Sequence, residues 1–245
     1  MGNKNGQVIA GGYGPGNRLD QLHNPTDVLI DKETDSLIIC DRKNRRVVQW
    51  SHYGGRSQED ILLDNITCYG MAIDDRRYLY ISDTRDDEVR RYKIGEKSGT
   101  VVAGGHGKGE GFNQLDWPTY VFVDRQQAVY VSDQNNHRVM KWNKGAKEGI
   151  VVAGGHSKGN ALTQLWYPEG LFVDMLDIVY VADSLNHRVM RWPKGAKQGT
   201  VIVGGNGCGE RANQFNSVGG LSFDRQGNLY VVDYHNYRIQ RFSIE

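Results

Sequence analysis

The 245-residue chain has 5 prolines, 3 cysteines, no long apolar run and almost no excess of either charge. Each shortage excludes something. No segment approaches the roughly 18 apolar residues of a membrane-spanning helix, and the start, MGNKNGQVIAGG, lacks the apolar centre of a secretion signal. The chain is therefore expected to be soluble, with no membrane insertion, and nothing in it assigns a compartment. Thirty Lys and Arg against 29 Asp and Glu leave a formal charge of +1, which gives no global attraction to nucleic acid or an anionic membrane. Cys40, Cys68 and Cys208 are widely spaced and odd in number. That argues against a disulfide framework and against a zinc site, and favours buried or isolated thiols.

What is abundant is glycine, 31 residues, and tyrosine, 13 residues, which suit short aromatic-rich strands joined by many tight turns. A hydrophobic fraction of 38% suffices for a core. One segment also recurs: DRKNRRVVQW, DTRDDEVRRY, DQNNHRVMKW, DSLNHRVMRW and DYHNYRIQRF begin at Asp41, Asp83, Asp133, Asp183 and Asp233. The spacing is 42 residues and then 50 three times, which is the period of a repeat architecture. A second series, Asp31, Asp74, Asp124, Asp174 and Asp224, closes an apolar run in each copy.

Period-two patterning divides each unit into four strands. Strand A ends at the first aspartate, as in GLFVD, and strand B at the second, as in VYVSD. Strand C is the HRVMKW segment, and strand D precedes a double glycine, as in TVVAGG. Four antiparallel strands per unit without helices predict an all-β propeller of five encoded blades. The approximate repeats are 13–63, 64–105, 106–155, 156–205 and 206–245. Unit two is eight residues shorter than the rest; SHYGGRSQED reads as a C to D turn of the first unit and ILLD as its strand D, so the deletion falls in a D to A connection. The N-terminal strand 7–12, QVIAGG, matches TVVAGG and is expected to close the ring against the final strand C. The alternative is a truncated six-bladed ring, whose open faces would promote self-association.

The combination of GLFVD, IVYVADSLNHRVMRW and TVIVGG resembles the NHL-repeat family of β-propellers over essentially the whole chain. The resemblance implies a binding platform, with a few enzymes and single-stranded RNA binders on the same scaffold, so it does not choose a function. The lyases and hydrolases among them imply an axial metal. No cofactor is predicted from the residues, although a channel-bound ion held by histidines and aspartates is a competing reading.

The shared positions read as hardware. Asp41, Asp83, Asp133, Asp183 and Asp233 suit acceptors in the B to C turn, Asn136, Asn186 and Asn236 suit turn positions, and Arg138 and Arg188 suit clamps on carbonyls or a neighbouring blade's carboxylate. Trp50, Tyr92, Trp142, Trp192 and Phe242 end strand C and suit packing between sheets. Gln21, Gln114, Gln164 and Gln214, followed by Leu22, Leu115, Leu165 and Phe215, suit anchors and plugs of the D to A connections. Connections alternate between faces, so Arg42, Lys43, Arg45, Arg46, His137, Arg138, His187, Arg188 and His235 form the candidate ligand-binding face. The leading expectation is a non-enzymatic module that presents loops to a protein, peptide or glycan, with RNA as the weaker partner because the total charge is neutral.

Overall fold

The structure is a computed structural model that describes residues 8–53 and 56–244, and these form an all-β propeller of five blades. Blade 1 comprises β1 (Pro25–Asp31), β2 (Ser36–Asp41), β3 (Arg46–Tyr53) and β4 (Arg56–Asp64). Blade 2 comprises β5 (Cys68–Ile73), β6 (Tyr78–Asp83), β7 (Glu88–Lys93) and β8 (Thr100–Gly104). Blade 3 follows with β9 (Pro118–Val123), β10 (Val129–Asp133), β11 (Arg138–Trp142) and β12 (Ile150–Gly154), and blade 4 with β13 (Pro168–Val173), β14 (Val179–Asp183), β15 (Arg188–Trp192) and β16 (Thr200–Gly204). Blade 5 has β17 (Val218–Phe223), β18 (Asn228–Asp233) and β19 (Arg238–Ser243). Strands pair antiparallel in chain order within each blade, and the first strands β1, β5, β9, β13 and β17 succeed one another around the axis.

The core lies between blades. Tyr130, Val139 and Ala153 of blade 3 pack with Leu171, Val181, Met190 and Trp192 of blade 4, and the same positions of blades 2 and 3 form an equivalent cluster. Each large aliphatic side chain there contributes about 1.5–3 kcal/mol on burial, so stability is spread over neighbouring interfaces. The aromatic that ends strand C also explains the glycine that opens strand D: a Cβ on Gly149 or Gly199 would stand 2.8 or 2.7 Å from the ring of Trp142 or Trp192. The aspartate that ends strand A holds the following turn; Asp124 accepts the Ala128 N–H at 2.8 Å and the Tyr130 hydroxyl at 3.4 Å.

Three local expectations are corrected. First, SHYGGRSQED is not simply a turn: β3 runs on to Tyr53 and β4 starts at Arg56, a longer hairpin than in the other blades. Second, Cys40 and Cys68 form a disulfide from β2 of blade 1 to β5 of blade 2, while Cys208 is free and exposed. The repeat register explains the pairing. At the position of Cys40, Ser82 and Ser132 each donate to a carbonyl of the next blade's first strand, Thr119 O and Glu169 O, both at 2.6 Å. A side chain there crosses the blade interface, which separation along the chain cannot reveal.

Third, Val8–Ala10 form no strand against β19, and blade 5 has three strands among the described residues; Gln7 lies outside them. The connection that follows is tied to blade 1 instead. Arg46 donates to the carbonyls of Asn17, Arg18 and Gln21, Asn44 donates to Gly16 O, and Ala10 packs beside Ile39, Val48 and Trp50. Among the described residues, the seam between blades 5 and 1 is open. Ile30 is 64% exposed where its equivalent Val173 is 4% exposed, and Ile239 is 68% exposed where Val139 and Val189 are fully buried.

Candidate functional site

The shared turn residues hold loops. In blade 3, Asp133 accepts the Asp116 N–H at 2.7 Å, the Asn136 amide at 2.9 Å and Arg138 Nε at 2.7 Å. Arg138 then donates to the carbonyls of Glu110, Gly111 and Gln114. Its clamp closes on the D to A connection leading into its own blade, through its own blade's aspartate. Asp183, Asn186 and Arg188 repeat the arrangement, as do Asp41, Asn44 and Arg46 in blade 1 and Asp233, Asn236 and Arg238 in blade 5. Blade 2 carries Glu88 where the others carry arginine, and the connection into it is the shortened one. With no long loop to clamp, the arginine has lost its acceptors.

This geometry removes several residues from the candidate face. Arg46, Arg138 and Arg188 are buried in ion pairs with Asp41, Asp133 and Asp183 and offer no charge to a partner's phosphates. Arg45 reaches Asn65, and Lys43 is exposed. The left-handed residue of each turn is the one after the asparagine, at φ 54° for His137 and 53° for His187. Their Nδ1 atoms accept the backbone N–H of Tyr167 (3.3 Å) and Ser217 (3.1 Å) in the next blade, so each ring bridges two blades as a neutral acceptor. Burial holds both imidazoles below the usual value of 6.5. Among the described residues, no three His, Cys, Asp or Glu side chains are grouped to hold an ion. The strand-ending aromatics Trp50, Tyr92, Trp142 and Trp192 are buried, and Phe242 packs at the edge of the blade 5 cluster.

The residues that vary between copies converge instead. A cavity of about 490 Å³ lies on the axis, and all five blades line it, with Arg42, Tyr69, Tyr120, Glu169, Ser184, Ser217, Tyr234 and His235 among its walls. Two sets of positions supply most of them, Ser217 and His235 lying beside these. One is the start of the inner strand, where the copies read Thr26–Asp27, Tyr69–Gly70, Thr119–Tyr120, Glu169–Gly170 and Gly219–Gly220. The other is the residue after the shared aspartate, which reads Arg42, Thr84, Gln134, Ser184 and Tyr234. Of the sequence-based candidates, Arg42 and His235 reach this cavity. Tyr69, Tyr120, Glu169 and Tyr234 were not anticipated. Their signal was present as positions where otherwise regular copies disagree.

The cavity is chemically polarised. The Arg42 guanidinium lies 5.3 Å from the Tyr69 ring centre and 5.2 Å from that of Trp117, a cation between two aromatic faces. The Tyr69 and Tyr120 rings meet edge-on at 5.9 Å. Glu169 Oε1 accepts from the Gln134 amide and the Tyr69 hydroxyl stands beside the carboxyl, whereas Oε2 is buried with no hydrogen bond of its own, as is Arg42 Nε. Burial pushes Glu169 up to about 7, against the opposing pull of Tyr69, Arg42 and Gln134. Asp27, beside the wall, is pushed by burial up to about 6 while it accepts the Met71 N–H at 2.7 Å across the first blade junction.

Comparison with known proteins gives a family match and a fold match. Residues 215–242, which run from the plug of the last connection to the end of strand C in blade 5, match the NHL repeat. No curated protein matches the chain. Among solved structures, an auxiliary nutrient binding protein from Bacteroides thetaiotaomicron VPI-5482 superposes with a TM-score of 0.73 at 17% identity, covering 92% of this chain and 60% of its own. A gluconolactonase from Xanthomonas campestris gives 0.68 at 16%, covering 92% and 77%. A streptogramin B lyase gives 0.59 at 6%, covering 90% and 69%. The chain thus spans about 60% of the length of the nutrient binding protein, and at these identities the likeness shows the fold alone. The chain is thus a five-bladed β-propeller whose fifth blade matches the NHL repeat and whose Asp-x-x-Asn-x-Arg turn recurs in three further blades.

Proposed function

We propose that the protein is a non-enzymatic binding module whose axial cavity takes a segment of a peptide or a glycan. The observation that supports this most is a pair of unpartnered polar atoms, Arg42 Nε and Glu169 Oε2, just beneath the surface in two side chains that line a cavity shared with tyrosine rings. Leaving a buried polar group unpaired costs about 1–3 kcal/mol, a cost that a hydrogen-bonding ligand relieves. Aromatic faces beside hydroxyl, carboxyl and guanidinium groups suit sugars and peptide backbones alike. The repeated aspartates, asparagines and arginines are engaged in their own loops and supply no second site.

The test is a peptide and glycan array probed with the wild-type protein and with Tyr234→Ala and Glu169→Gln. Tyr234 is 64% exposed, so its truncation leaves the core intact. A shared set of hits, weakened about tenfold or more by either substitution, supports the axial site. Hits that neither substitution changes would move binding to another surface, and an absence of hits would remove the reading.

A further inference from the structure

Arg42 has an environment unlike that of any other shared-turn arginine. Its guanidinium forms no hydrogen bond or ion pair among the described residues, yet Tyr69 and Trp117 hold it in place from blades 2 and 3. Arg46, four residues on, is by contrast saturated by Asp41 and three carbonyls. A guanidinium fixed by aromatic faces keeps its in-plane donors free, and those donors match the two oxygens of a carboxylate. Glu169 shares the cavity and attracts Arg42 through space, but no ion pair joins the two among the described residues, so the guanidinium is anchored without a carboxylate closing on it.

We infer that Arg42 makes the axial cavity a carboxylate-recognition site, in which the ligand's carboxylate pairs with the guanidinium and an adjacent ligand hydroxyl or N–H donates to Glu169 Oε2. This rests on the binding-module reading above and narrows its ligands to those carrying a carboxylate beside a hydrogen-bond donor. A peptide C-terminus and a uronate residue of a glycan both present that chemistry. Tyr69, Tyr120 and Tyr234 then supply the surface against which the attached residue or ring lies.

The experiment is a calorimetric titration with two matched pairs of probes, a tripeptide with a free or an amidated C-terminus and a galacturonate or a galactose trisaccharide. Binding of one acidic probe at least tenfold tighter than its neutral partner is expected, and the pair that shows it identifies the source. Arg42→Gln is expected to abolish the preference while shifting the melting temperature by less than about 2 °C, and Arg42→Lys, which keeps the charge but loses the planar fork, to retain part of it. Equal affinities for acidic and neutral probes, or a preference that survives Arg42→Gln, would overturn the inference. Neutral probes that bind with sensitivity to Tyr234→Ala would leave the binding-module reading standing, and failure of every probe here and on the array would end both.

Discussion

Arg42 and Arg188 are the same chemical group placed in opposite circumstances. Arg188 is enclosed by Asp183 and three carbonyls, and Arg42 is held by two rings on the wall of a cavity. The sequence shows why the first is structural, because its aspartate and asparagine recur at fixed spacing, but it grouped both arginines on one face since side-chain direction depends on the turn. His187 illustrates a similar limit. Its place in the turn is legible, whereas its bond to the Ser217 N–H depends on a left-handed backbone that aims the ring at the next blade. That bond needs a neutral Nδ1, and burial lowers the folded pKa. The unfolded chain therefore binds the proton more readily, so this contribution is complete above about 6.5 and is lost as the pH falls through the lower, folded value. Glu169 and Asp27, whose pKa values are raised, act in the opposite sense over the same range. The His187 contribution is thus read as a difference: urea unfolding between pH 8 and pH 5 is expected to show His187→Ala destabilised at pH 8, with the gap to wild type narrowing toward pH 5. A constant gap would show that the ring contributes by packing alone.

At the scale of the element, period-two patterning and the aspartate series placed the A, B and C strands of each blade, and the D strands of blades 1 to 4, in their order, although β4 begins five residues before ILLD. Where the reading failed, a contact between elements decided the outcome. Cys40 and Cys68 are 28 residues apart, and they meet because the penultimate strand B side chain faces the next blade, as Ser82 and Ser132 do. The crosslink closes a loop of that length, which is expected to stabilise the fold by about 2–4 kcal/mol. Denaturant unfolding with and without reductant should show this loss in the wild-type protein and none in the Cys40→Ala/Cys68→Ala variant, which starts from the lower stability. A wild-type midpoint indifferent to reductant would mean that the two sulfurs are not bonded in solution. The segment at Val8–Ala10 departs from its expected pairing for a related reason: the connection that follows it is anchored on blade 1 by Arg46.

For the molecule as a whole, repetition made the fold legible and hid the site. Copies share what each junction between blades requires, so the shared residues are spent on loops and interfaces. The axis is the place where five non-equivalent copies meet and where each contributes a different side chain. The open seam beside blade 5 belongs to the same scale, since it follows from how the blades succeed one another and from no single motif. The division between shared scaffold and variable site is tested most directly by measuring melting temperature and probe affinity together for Arg42→Gln and Arg188→Gln. Arg188→Gln leaves Asp183 buried without its partner, a cost of about 3–5 kcal/mol and a fall of roughly 10 °C, with affinity unchanged in the folded protein. Arg42→Gln is expected to keep the wild-type melting temperature and lose binding of the acidic probe. The contradicting result is the reverse assignment, in which Arg42→Gln unfolds the protein as readily as Arg188→Gln does, or leaves binding untouched.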